Sequence, residues 1–306
     1  MGSSQSYVKT PLGFFARLSE LRGLYAIHSG KTEGYVKQVL NVARDIEKTF
    51  ERLSRRSLRD AAILEVGVGQ RPVQLAYFAT RARLAVGIDT DLVPGHAALS
   101  DYLEMWKRNG SLRSMKTVAR KTLGMDSRFR KEVARQLGLP RFPDLTLLPM
   151  DASATTFGPE TFDAVYSRAV FEHLSDPRGV LREIHRILKP GGAAVIFFHL
   201  YTSDTGCHDT RIFAGRREHI PYWSHLRPEH RYLVHENTFL NRLRLADWRK
   251  LFSEEMPGSV VRPHNDADQP AQNALRALRA KDELPAFSDE ELLSVTVEVT
   301  WAKPLS

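Results

Sequence analysis

The chain has one cysteine in 306 residues. That single thiol, Cys207, excludes an internal disulfide and any cysteine-built zinc cluster, and a reducing, cytoplasmic setting is the expected home. Long apolar runs are equally scarce. The longest strongly apolar stretch, residues 193–200, falls far short of the ~20 residues a membrane-spanning helix needs. No secretory signal opens the chain. Met1 to Ser6 fits the short pattern for amino-terminal acylation, but a disordered leader is the better reading of so brief a match. A third feature is missing from the most informative stretch, residues 61–91. The strand-like Ala61-Ala-Ile-Leu-Glu65-Val runs into Gly67-Val-Gly69, yet Pro72 stands where a third glycine would complete the dinucleotide-binding pattern.

What is present there is a buried strand, a tight glycine turn, a helix, and a second strand ending on Asp89. In an α/β fold such a unit carries a nucleotide-like ligand. Gly67 and Gly69 let backbone approach it, and Asp89 can accept hydrogen bonds from ribose hydroxyls. Nicotinamide dehydrogenases share this layout, so the stretch by itself leaves the cofactor open.

The remainder of the chain narrows the choice. Residues 147–153, Leu-Leu-Pro-Met-Asp-Ala-Ser, read as an apolar strand delivering Asp151. Residues 162–177 read as a fourth strand and a turn. A helix from Asp176-Pro177 follows, with Val180, Leu181, Ile184, Ile187 and Leu188 facing inward, and it stops at Lys189-Pro190-Gly191-Gly192 before a strand over residues 193–199. Ser288-Asp-Glu-Glu291 is a capping box. Val295, Val297, Val299 and Trp301 then alternate with polar residues, as a half-buried strand does.

In this order the segments resemble the class I S-adenosylmethionine-dependent methyltransferases, specifically the methyltransferase type 11 domain group, over residues 60–200. The resemblance implies a doubly wound, seven-stranded, mostly parallel sheet with the last strand antiparallel, plus a helical insertion. It also implies S-adenosyl-L-methionine as cofactor. Glu65 would face the ammonium of the methionine moiety, Gly67 and Gly69 would make room, and Asp89 with Thr90 would meet the ribose. Asp151 and Ala152 would take the adenine, while Ser167 and Arg168 would line the methionine side. Arg71 stands where many relatives carry a third glycine and is expected at the turn.

The domain plan expected is a helical segment over residues 1–58 and a methyltransferase domain over residues 59–306. Within the former, Tyr35, Val36, Val39, Leu40, Ala43, Ile46, Phe50 and Leu53 hold one stripe of a long amphipathic helix. Tyr25 to Gly30, with His28, reads as a loop near the site entrance. An insertion at about residues 92–143 carries eleven basic residues from Lys107 to Arg141. Its apolar pairs Leu103/Trp106 and Met115/Val118, with Phe129, Val133 and Leu137, predict two or three helices with a basic outer face. With a net charge of +8, this face is compatible with an anionic small-molecule acceptor or peripheral membrane contact, whereas nucleic acid is a weaker fit because no RNA-binding module is recognisable.

The acceptor side is expected in a substrate loop at about residues 200–240. His199 and Tyr201 follow the fifth strand, and His208, Asp209, Trp223 and His225 come from the loop. Histidine accepts protons near neutral pH, so His199, His208 and His225 are the candidate bases. Glu172-His173 reads mainly as a structural pair. Six histidines lie between residues 199 and 235, but no helical ligand spacing joins them, and no metal is expected. The reaction expected is methyl transfer to an oxygen or nitrogen of a sugar, lipid-linked or secondary-metabolite acceptor. Rival readings are a nicotinamide-dependent oxidoreductase, an RNA methyltransferase and a non-catalytic cofactor-binding protein. Oligomeric state is not legible.

Overall fold

A computed structural model describes residues 32–69, 71–90, 92, 125–213, 215–217 and 219–305. Within them, seven strands form one sheet in the order β3-β2-β1-β4-β5-β7-β6. The strands are β1 Ala62–Val66, β2 Leu84–Asp89, β3 Thr146–Pro149, β4 Phe162–Arg168, β5 Leu188–His199, β6 Val260–His264 and β7 Thr296–Ala302. β1 pairs parallel with β2, and β2 parallel with β3, while β6 and β7 run antiparallel. The sheet is mostly parallel with helices on both sides, as the motif order predicts. Contacts divide the described residues into two compact units. The first comprises residues 32–166, 186–193 and 304–305, and the second residues 167–185 and 194–303.

In the first unit all five residues of β1 are buried, as befits a continuous apolar strand in a parallel sheet. α1, Thr32–Ser54, buries Val36, Val39, Leu40, Ala43, Ile46 and Phe50, the stripe its 3.6-residue period predicts. α2, Val73–Ala79, follows the glycine turn, with Val73 to Phe78 all buried. α3, Met125–Leu137, is the one helix of the insertion among the described residues, and Phe129, Val133 and Ala134 face inward. It packs on α1: Tyr35 meets Phe129 at 6.4 Å between ring centres, and Arg135 bonds Glu33 at 2.8 Å. The other helical pairs expected there, Leu103/Trp106 and Met115/Val118, lie outside the described residues, as do His28 and the amino-terminal leader.

One buried carboxylate joins three strands of this unit. Asp163 on β4 accepts from the Ala62 amide of β1 at 2.9 Å and from the Lys189 ammonium of β5 at 2.9 Å, and Arg56 approaches at 3.3 Å. Burial would raise its pKa, yet these donors together hold it below the usual carboxylate range. The same ion pair explains a difference from the sequence-based expectation. β5 begins at Leu188, directly after the helix, rather than at Ala193, because Lys189 is already drawn into the sheet by Asp163.

In the second unit, α4, Pro177–Ile187, starts on Asp176, whose carboxylate accepts from the Gly179 amide at 2.9 Å. Its residues 177–185 belong here. α6, Leu245–Glu255, lies beside α4 through Glu254 and Glu255, which bond Arg178 and Arg182. Phe171, Phe198, Trp248 and Phe252 form an aromatic core with Phe198 and Trp248 at 4.4 Å. α7 spans Gln269–Arg279. α8, Asp289–Leu293, opens on Ser288, which accepts from the Glu291 amide at 3.2 Å. In β7 the buried positions are Val297, Val299 and Trp301, the period-two face anticipated.

Between β5 and α6 lies a long ordered loop containing only the short helix α5, Thr210–Phe213, and two tight turns. Two buried carboxylates strap it. Asp204 accepts from the Trp223 amide at 2.7 Å and pairs with Arg217, and Asp209 accepts from Arg211 and from the His235 amide at 2.9 Å. Gly206 is obligatory for another reason: a Cβ there would stand 2.3 Å from the carbonyl oxygens of Leu200 and Tyr201. Cys207 beside it is fully buried against Ile212 and Ile220.

Candidate functional site

The first unit assembles a cradle at the carboxyl ends of β1, β2 and β3. Gly67 and Gly69 both take positive φ, 76° and 65°, conformations that side-chain-bearing residues adopt at a cost. The turn they form is pinned to β2. The Gly67 and Val68 amides donate to the Ile88 carbonyl at 2.8 and 3.2 Å, and the Gly69 amide donates to the Asp89 carboxylate at 2.9 Å. Asp89 thus braces the turn while standing half-buried at its rim. Thr90, next along, is exposed.

Asp89 and Asp151 share this end of the sheet. Asp89 sits opposite Pro149 in the β2–β3 register, and its carbonyl accepts from the Met150 amide at 3.3 Å. Asp151 follows at once and is exposed. One of its oxygens accepts from the Ser153 amide and hydroxyl, both at 2.8 Å, so a local turn aims the carboxylate and leaves its second oxygen outside that turn. Ala152 is half-buried beside it.

Glu65 is the electrostatic feature of the cradle. It is 4% exposed, and its Oε2 is buried with no hydrogen-bond partner. Burial pushes its carboxyl up to about 8, with a smaller contribution from the Asp89 charge, against the opposing Leu75 amide. A buried acid in this condition is satisfied by a cation or by a strong donor. An ammonium group fits that requirement, so the residues present suit the methionine moiety of the expected cofactor. Arg71 has its guanidinium 4.8 Å from the centre of the Phe129 ring of α3, a cation–π contact tying the end of the turn to the insertion.

The second unit holds the histidines. β4 ends with Ser167, fully buried, and Arg168, half-buried. A tight turn at Phe171–His173 then carries Glu172, 3% exposed. β5 ends at His199, whose amide donates to Glu172 Oε1 at 3.3 Å and whose Nδ1 lies 3.4 Å from the same oxygen. His208 returns from the loop to place its ring 5.4 Å from that of His199 and 4.9 Å from that of His173. It does so at φ 54°, a strained value for a histidine. His173 is held by a hydrogen bond between Nδ1 and the Phe239 carbonyl, 2.9 Å.

Burial sets the chemistry of this cluster. It lowers His199 to about 4, helped by the Arg168 charge, and His208 to about 3, helped by His173. It raises Glu172 to about 7. Both imidazoles are therefore neutral lone-pair carriers near pH 7 and weak proton acceptors. His225 is placed differently. It is 4% exposed, its Nε2 bonds the Tyr201 carbonyl at 2.9 Å, and it packs edge-on against Tyr201. That geometry anchors the loop. Tyr201 in turn donates its hydroxyl to Glu236 at 3.1 Å.

The grouping of Glu172 with His199 and His208 is what sequence reasoning missed. Glu172 pairs with a residue 27 positions away, and only strand order brings the end of β5 beside the turn after β4. The only signal in the sequence was an acidic residue, Glu172, in the turn shortly after the strand ending on Ser167-Arg168.

The family described as a methyltransferase domain matches residues 109–196. The match begins after the glycine turn and takes in β3, Asp151, β4, α4 and most of β5. No curated protein matches the chain. Solved structures similar to it include an S-adenosylmethionine-dependent methyltransferase from Mesorhizobium loti, 14% identical with a TM-score of 0.40, covering 82% of this chain and 95% of that one. Another is phosphoethanolamine N-methyltransferase 2 of Haemonchus contortus in complex with S-adenosyl-L-methionine, 16% identical with a TM-score of 0.40, covering 84% of this chain and 51% of that one. Likeness at that level assigns no activity, so the weight rests on the domain match and on the strand order of this chain. What the chain shares with the methyltransferase domain is therefore the match over residues 109–196, beside a seven-stranded sheet in the order β3-β2-β1-β4-β5-β7-β6.

Proposed function

We propose that the protein binds S-adenosyl-L-methionine through Glu65, Gly67, Gly69, Asp89, Thr90, Asp151 and Ala152 and transfers its methyl group to an oxygen or nitrogen of a small-molecule acceptor. One observation carries this reading: a buried, partnerless carboxylate oxygen on Glu65 stands at the end of β1 beside a glycine turn clamped by Asp89. When bound, the sulfonium supplies an electrophilic methyl carbon. The chain's own part is chiefly to hold the two reactants, a contribution that can reach about 7–11 kcal/mol. Asp89 keeps the turn open and faces the ribose, and Asp151, oriented by Ser153, faces the adenine edge. Glu65 neutralises the ammonium. In the second unit, Glu172, His199, His208 and His225 each carry a buried polar atom without a hydrogen-bond partner.

Calorimetry with S-adenosylhomocysteine and with reduced nicotinamide nucleotides tests this. Binding of the first and not the second is expected, with affinity falling at least tenfold in Asp89→Ala and in Asp151→Ala. Binding of the nicotinamide nucleotide alone would overturn it. The basic, anion-compatible face expected around α3 makes a negatively charged metabolite the preferred acceptor class. Methyl transfer to such compounds, and none to RNA, is the expected result of a screen with radiolabelled cofactor.

A further inference from the structure

We propose that Glu172, His199 and His208 form a binding site for a single divalent transition-metal ion of the zinc type. The three come from three separate segments: the turn after β4, the end of β5, and the loop beyond it. One ligand atom from each lies within 4.8 Å of the others. His199 Nδ1 and Glu172 Oε1 are 3.4 Å apart. That is the edge of a tetrahedron whose bonds are about 2.05 Å long, or ~3.4 Å.

Each of the three residues carries an orphaned polar atom, while Glu172 Oε1 accepts from the His199 amide. Glu172 Oε2, His199 Nδ1 and His208 Nε2 are all buried without a hydrogen-bond partner, and Glu172 and His208 are 3% and 9% exposed. Three such atoms in one cluster each carry a desolvation cost unless something satisfies them. A shared cation satisfies all three. His208 is delivered to the cluster in left-handed backbone, φ 54°, next to Gly206, whose missing side chain lets the loop lie on the Leu200 and Tyr201 carbonyls. Strain spent to aim one imidazole at another residue's lone pair is characteristic of a functional site.

Ligand chemistry selects the ion. Two imidazoles and one carboxylate match zinc-type ions with borderline-soft preference, and magnesium or calcium would require more oxygen ligands. Two of the three ligand atoms are imidazole nitrogens, so the site depends on nitrogen bonds more than on charge. Three protein ligands leave a fourth position open, the arrangement of ions that polarise a bound oxygen or nitrogen. That open position would take a small oxygen or nitrogen ligand.

The test uses the full-length, untagged protein stripped with chelator and desalted. Titration with Co²⁺ is expected to develop a four-coordinate d–d absorption spectrum that saturates at one equivalent and is displaced by Zn²⁺. His208→Ala and Glu172→Gln are each expected to weaken uptake at least 100-fold while still binding S-adenosylhomocysteine, which reports an intact fold. His264→Ala, on β6 and away from the cluster, should take up the ion like the unsubstituted chain. In the unsubstituted chain, Zn²⁺ should also shift the imidazole nitrogen resonances of His199 and His208 and leave that of His264 in place. Absence of saturable uptake, or uptake undiminished by both substitutions, would overturn the site. Cofactor binding without metal uptake sinks this proposal alone, and metal uptake without cofactor binding sinks only the methyl-transfer reading.

Discussion

On the proposed reading, a single buried acid, Glu65, would make the cradle selective by charge. With its carboxyl pushed up to about 8, it is mostly protonated at pH 7. Pairing with an ammonium requires the ionised form, so binding must expel that proton. The expected outcome is release of close to one proton per S-adenosylhomocysteine bound at pH 7, measured by calorimetry in buffers of different ionisation enthalpy. Affinity should rise with pH until about 8 and then level. Glu65→Gln removes both effects and weakens binding by roughly 10- to 100-fold, the worth of a charge-assisted hydrogen bond of about 1.5–3 kcal/mol. An unchanged proton count in that variant would remove Glu65 from the ligand's surroundings. At the same scale, the positions of Glu65, Asp89 and Asp151 at or just beyond the carboxyl ends of β1, β2 and β3 were legible, because the apolar run of each strand is visible in one dimension. The pairing of His199 with Glu172 was not, since neither spacing nor periodicity encodes which strand ends become neighbours. His225 adds a contact that its residue type does not announce, the bond between its Nε2 and the Tyr201 carbonyl.

Among the elements, the loop after β5 is the least expected. Scattered prolines and glycines announce irregular backbone, yet the loop is braced by Asp204 and Asp209 from within. Gly206→Ala would press a methyl group 2.3 Å from two carbonyl oxygens, backbone that cannot rotate aside. The expected cost is about 1–3 kcal/mol, read from urea denaturation, with disorder concentrated at residues 206–209 in hydrogen exchange. Neutral behaviour of this variant would mean that the loop does not rest on Leu200 and Tyr201. The periodic elements, α1, α4 and β7, followed their patterns closely because one apolar face decides each. α3 alone can be compared within the insertion, where Phe129 and Val133 lie on its inner face as expected.

At the level of the whole molecule, the sheet order is the strongest statement, and it follows from the alternation of strands and helices that the sequence displays. Tertiary ties were hidden. Asp163 reads as a polar interruption in β4, and it serves as the junction of β1, β4 and β5. Asp163→Ala strands the Ala62 amide and the Lys189 ammonium at once and is expected to cost about 3–5 kcal/mol, the range for breaking a buried pair by removing one partner. Asp163→Asn should recover part of that by keeping one acceptor for Ala62. Equal loss in both variants would assign the cost to charge rather than to the amide contact.

The lone thiol offers a way to watch the protein at work. Cys207 lies between Gly206 and His208, fully buried, with burial pushing its ionisation up to about 12. A maleimide or aromatic disulfide reagent can therefore touch it only during excursions that expose the segment. With no competing sulfhydryl in the chain, the rate of labelling becomes a stopwatch for that excursion, needing no engineered probe, and any compound that clamps the segment shut will slow the clock.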